Sequence, residues 1–272
     1  MRRLTSFTCG EDMLAATIDD APARTGLLIV TGGSEVRTGA HRGLEQLALA
    51  VSRAGYPAFR FDRRGVGDSE GEDPGFAGSA PDIAAAVGAF RALRPDLHRI
   101  VGFGLCDGAT ALALHHRAAG IEALLLANPW VVEPQAGLPP PAAIRRRYVE
   151  RLLSLDGWRR LLCGGIDYRA TLRGVRSLAA QREAALADAM ANALGKSDSP
   201  ITLILASGDA TAIAFADEWR KPAFARIRAR RDVAVATLDT ASHSFAGGDE
   251  PEQLATLCIE ALDALSTRLA AA

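Results

Sequence analysis

The stretch Ile100-Val101-Gly102-Phe103-Gly104-Leu105-Cys106-Asp107-Gly108-Ala109 decides the fold. It starts as an apolar strand over Ile100–Phe103, turns through a G-x-C-x-G pattern, and opens an Ala-rich helix over Ala109–Arg117. A strand, a tight turn and a helix in that order place the turn residue above the end of a sheet. Small residues at Gly104 and Gly108 let strand and helix approach each other closely around it. A helix N-terminus directly behind Cys106 favours the thiolate over the thiol through the helix dipole. The plainer reading of Cys106, a buried core thiol after a strand, uses none of these features.

Outward from this turn, short apolar runs alternate with longer helical segments. Leu27-Leu28-Ile29-Val30 is apolar at every position, as expected of a strand covered on both faces. Further strands are predicted over Pro57–Phe61, Ala123–Ala127, Ile201–Leu205 and Val233–Leu238. Helices are predicted over Gly43–Arg53, Asp82–Leu93, Ala212–Ile227 and Glu252–Leu269. This alternation predicts an α/β fold with a mostly parallel central sheet flanked by helices. Residues 4–18 read as an antiparallel hairpin on the sheet edge.

One interval breaks the rhythm. It opens with the Pro-rich piece Pro134–Pro141 and continues as helical sequence, too long for a bare loop. The expected organisation is a core of 1–128 and 199–272 with a helical cap inserted at 129–198. From Ala142 to Arg182 the insertion holds ten Arg against Glu150, Asp156 and Asp167. A solvated basic face is the bland interpretation. The sharper one is a lid that attracts an anionic substrate, partner or membrane surface.

Composition narrows the function classes. The chain has 272 residues, 49% of them hydrophobic, and a net charge of -1, so no global excess of positive charge exists for binding nucleic acid. Cys9, Cys106, Cys163 and Cys258 form no CxxC pair, which argues against a disulfide framework or a zinc site. Neither a signal peptide nor a transmembrane run is legible, and the expected location is a reducing cytoplasm.

A nucleophile at Cys106 needs a base. Among the five histidines, His243 alone follows the carboxyl end of a predicted strand, where α/β folds gather their sites. His115 and His116 fall late in a helix, His98 precedes a strand, and His41 lies at a helix start within reach of the site. An acid must then orient the imidazole. Asp209 follows the strand Ile201–Leu205, with Asp217 as its rival inside the next helix and helix capping as its alternative role. An acyl-transfer site also needs oxyanion donors. The backbone N–H of Asp107 is one candidate. The second is Gly33 or Ser34 in Gly32-Gly33-Ser34, after the strand Leu27–Thr31.

The order Cys106, Asp209, His243 resembles the α/β-hydrolase superfamily, whose chain order is nucleophile, acid, histidine. Phe61-Asp62-Arg63-Arg64-Gly65-Val66-Gly67-Asp68-Ser69 resembles that family's D-x-R-G-x-G-x-S loop. More narrowly, the sequence is similar to the hydrolase 1 proteins associated with the exosortase A system. That resemblance rests on Gly32-Gly33 with Arg37, Gly39 and His41-Arg42, on Tyr56-Pro57 through Gly71, on Gly104–Gly108, and on Asp209 with Thr211-Ala212. It implies a hydrolase of an ester or thioester with a Cys106–His243–Asp209 triad, no cofactor or metal, and a small-molecule or acyl-bearing substrate. Arg37, His41 and Arg42 are candidate substrate contacts. The rival readings are an acyltransferase with the same triad and a non-catalytic binding protein on the same fold.

Overall fold

The computed structural model describes residues 1–131 and 185–270. Most of the expected cap, with its Arg-rich stretch, Cys163 and the anionic partner proposed for it, lies outside the described residues.

Strands β1 (Arg2–Cys9) and β2 (Asp12–Asp19) form an antiparallel hairpin at one sheet edge. Then follow β3 (Thr25–Val30), α1 (Gly43–Arg53), β4 (Ala58–Phe61), α2 (Ala80–Leu93), β5 (Arg99–Leu105), α3 (Asp107–Ala119) and β6 (Ala123–Ala127). After a helical stretch α4 over residues 185–195 come β7 (Ile201–Ala206), α5 (Ala210–Trp219), the short α6 (Ala225–Arg228), β8 (Val233–Leu238) and α7 (Glu250–Ala270). The eight strands are ordered β1-β2-β4-β3-β5-β6-β7-β8, with every pair from β4 to β8 parallel. The expected α/β architecture is the one observed.

The central strands explain why. All six residues of β3 and all five of β6 are buried, which only helices on both faces of the sheet can achieve. Two apolar clusters result, one on each face. Leu28, Val30, Phe59 and Phe90 belong to the first, and Leu27, Ile29, Leu47 and Phe103 to the second. Each such side chain contributes roughly 1.5–3 kcal/mol by leaving water. Residues 185–195, inside the expected insertion, bury Ala187, Met190 and Leu194 in the first cluster.

The predicted helix over Ala212–Ile227 is in fact two. Helix α5 ends at Trp219 and α6 begins at Ala225, with a 3₁₀ turn from Pro222 between them. Proline lacks the amide that a continuous helix requires.

Candidate active site

The turn after β5 has the strain its sequence implies. Cys106 adopts φ 59° and ψ −126°, a conformation that costs an L-residue free energy and persists only where its surroundings enforce it. The enforcement is steric. A Cβ on Gly108 would lie 2.5 Å from the Val30 carbonyl oxygen, and one on Gly104 would lie 2.6 Å from the Ala109 nitrogen. Hydrogen bonds complete it: Cys106 N–H donates to Ala127 at 3.0 Å, and its carbonyl accepts from Trp130 N–H at 3.2 Å. The side chain is partly exposed above the sheet, as the first residue of α3 begins.

The structure brings Cys106, His243 and Asp209 together from three strand ends. His243 Nδ1 lies 3.1 Å from Asp209 Oδ2. That bond, followed by a hydrogen bond to Cys106, outweighs burial and lifts the imidazole to about 10. With Nδ1 committed to the carboxylate, the other ring nitrogen is left for the sulfur. Asp209 also caps α5, its Oδ2 accepting from Ala212 N–H at 2.9 Å. The helix cap weighed for this residue from sequence and a contact with the imidazole therefore meet in one oxygen atom.

Asn128 was not legible from sequence. It follows β6 directly, is fully buried with φ 42°, and donates to the His243 carbonyl while accepting from Ala206 N–H, both at 2.9 Å. It fastens the histidine loop to the sheet. The only signal was a short polar residue directly after an apolar strand, the type that tolerates left-handed backbone.

The loop after β3 lies against the nucleophile turn. A Cβ on Gly32 would meet the Leu105 carbonyl oxygen at 2.6 Å and Cys106 Cβ at 3.2 Å. Of the two amides expected to serve here, that of Gly33 is occupied, because it donates to the Asp107 carboxylate. The Ser34 amide has no hydrogen-bond acceptor among the described residues, and the Asp107 amide, first in α3, has none within its helix. Glu35 is a further group that sequence reasoning missed. Half buried, it accepts from Ala40 N–H at 2.9 Å. Burial pushes its carboxyl up, while the Ala40 bond and the charge of His243 act the other way.

Arg37 and Arg42, expected as substrate contacts, are each paired with carboxylates. The Arg37 guanidinium bonds to buried Asp62 and to Asp68, and that of Arg42 to Glu45 at 2.8 and 2.7 Å. His41 is exposed, with φ 52° at the start of α1. The Asp62–Ser69 motif is a structural clasp: Asp62 accepts from the backbone of Arg37 and Asp68, and Ser69 Oγ donates to the Asp62 carbonyl at 2.7 Å. Arg64 N–H and Nε bind Asp82 in α2 at 3.0 and 2.6 Å. Burial pushes His115 and His116 down, and their ring nitrogens bond to backbone carbonyls away from Cys106. Among the described residues no three His, Cys, Asp or Glu side chains are grouped to hold a metal ion, and no helix is long and apolar enough to cross a membrane.

Comparison with known proteins agrees with the α/β-hydrolase fold. The family model described as the alpha/beta hydrolase family matches residues 28–257. No curated protein matches the chain. Among solved structures, a Pyrococcus furiosus esterase is similar at TM-score 0.65 and 13% identity, over 97% of this chain and 90% of that one. A proline iminopeptidase of Mycobacterium smegmatis is similar at TM-score 0.61 and 14% identity, over 99% and 100%. A dienelactone hydrolase of Anabaena variabilis is similar at TM-score 0.61 and 15% identity, over 96% and 95%.

Proposed function

The chain belongs to the α/β-hydrolase family, and from that premise we propose that it hydrolyses an ester or thioester through a covalent thioester on Cys106. The observation that carries this reading is the imidazole of His243, held at Nδ1 by Asp209 and bonded at its other face to a Cys106 thiol on a strained turn. An imidazole lifted to about 10 is an imidazolium at neutral pH, the natural counter-ion of a thiolate.

The thiolate attacks the substrate carbonyl, forming the C–S bond as the carbonyl electrons move onto oxygen. The Asp107 and Ser34 amides receive that oxyanion. His243 gives its proton to the leaving alcohol or thiol as the carbon–heteroatom bond breaks. Neutral His243 then takes a proton from water, whose oxygen attacks the thioester. Collapse returns the carboxylic acid and the Cys106 sulfur. Asp209, bonded to Nδ1, fixes the ring's tautomer throughout. The same thioester passes its acyl group to another nucleophile if one outcompetes water, which makes acyl transfer the nearest rival. A working thiol also implies a reducing compartment. The finer resemblance to exosortase-associated hydrolases rests on the motif segments alone.

Brief exposure to p-nitrophenyl acetate followed by mass spectrometry should find an acetyl group on Cys106, and Cys106→Ala should release no nitrophenolate above background. An unmodified Cys106, together with full turnover by the Ala variant, would reject the reading.

A further inference from the structure

We propose that Arg63 is a positioning residue that aims the Ser34 amide into the oxyanion site. The inference rests on the acyl-transfer reading above and adds to it a device for holding the oxyanion loop.

Arg63 follows buried Asp62 in the loop after β4 and is itself 1% exposed. Its Nη2 donates to the carbonyl oxygen of Gly33. Its Nε and Nη1 have no hydrogen-bond acceptor among the described residues. Its neighbours Arg64 and Arg37 are each paired with carboxylates. A buried cation with no carboxylate partner among the described residues is costly to hold there, and simple space-filling would be served better by Met or Leu. The position therefore asks for what the guanidinium does, which is to grip one carbonyl.

That carbonyl shares a peptide group with the Ser34 amide. The described backbone contains no cis peptide bond. In a planar trans peptide, C=O and N–H point in opposite directions. A clamp on the Gly33 oxygen thus fixes the direction of the Ser34 N–H, turning it away from Arg63. The preceding peptide is held too, because the Gly33 N–H donates to the Asp107 carboxylate. Both peptides that meet at the Gly33 Cα are restrained, one by a residue of α3 and one by Arg63. A cation on the carbonyl also polarises the peptide and strengthens its N–H as a donor.

The test compares two reactions of the same sulfur. S-alkylation by iodoacetamide needs the thiolate and develops no oxyanion, whereas acylation by p-nitrophenyl acetate needs both. Arg63→Met keeps the bulk and removes the grip. It should slow acylation of Cys106 by about 10- to 100-fold, somewhat less than outright loss of an oxyanion donor. Alkylation should stay within about threefold of wild type, and the loss should appear in kcat rather than KM. Arg63→Lys keeps the charge without the planar fork and should give an intermediate ratio of the two rates. If Arg63→Met does not fold, the Lys variant carries the test alone. A folded variant with the wild-type ratio of acylation to alkylation, or one in which both rates fall together, overturns the proposal. Failure of wild-type protein to acylate at Cys106 instead overturns the acyl-transfer reading, so the two failures are distinguishable.

Discussion

Asp209 performs two tasks through one oxygen, and substitution separates them. Oδ2 caps α5 through the Ala212 N–H and faces Nδ1 of His243. Asn caps helices about as well as Asp, whereas Ala forfeits about 1 kcal/mol. Asp209→Asn should therefore unfold at higher denaturant than Asp209→Ala, although both lose the charge that holds the imidazolium. The hydrogen bond to that carboxylate is the foremost reason His243 is lifted to about 10. An ordinary free thiol is only about 3% ionised at pH 7, so losing the imidazolium partner should slow reactions that need a thiolate. Iodoacetamide should alkylate Cys106 up to about thirtyfold more slowly in Asp209→Asn than in wild type at pH 7. The difference should shrink to about twofold or less at pH 9, where an unassisted thiol is mostly ionised. Equal alkylation at pH 7 by a folded Asn variant would refute the argument and leave Asp209 as a helix cap alone.

Two further outcomes follow from the same geometry. His243 binds its proton more tightly in the folded protein than the ordinary 6.5, so its stabilisation is complete below pH 6.5 and is lost as pH rises through about 10. Its side chain is 38% exposed, which reduces the effect to about 1–2 kcal/mol after solvent screening. Denaturant titrations from pH 6.5 to 10.5 should show that loss in wild type and not in His243→Gln, and identical slopes would reject it. Gly108→Ala would place a methyl 2.5 Å from the Val30 carbonyl oxygen and 2.7 Å from that of Thr31, where only backbone can yield. The expected cost is about 1–3 kcal/mol, seen as a melting temperature several degrees lower. An unchanged melting temperature would mean that the turn relaxes freely.

The strand ends and the turn at Cys106 were legible because they are local. An apolar run, a glycine pair and the residue after a strand are all read within a few positions. Asp209 and His243 were legible because parallel strands deliver their carboxyl ends to one side of the sheet. Arg63 and Asn128 were not, because their meaning lies in partners far along the chain. The Asn128 amide meets a carbonyl 115 residues away, and the Arg63 guanidinium meets one 30 residues back. The pairing of Arg37 was hidden for the same reason: spacing placed it after the β3 loop, but not against Asp62, 25 residues on. The break at Pro222 was local and readable, and the apolar residues beyond it concealed it.

Strand β8 borders the sheet and pairs only with β7 among the described residues, with Ala234, Val235 and Thr237 exposed. The imidazole thus hangs from the outermost strand, while the sulfur stands on one of the innermost. Peripheral strands fray at lower free energy than central ones. Warming should therefore part the His243 imidazole from the Cys106 sulfur before the protein melts.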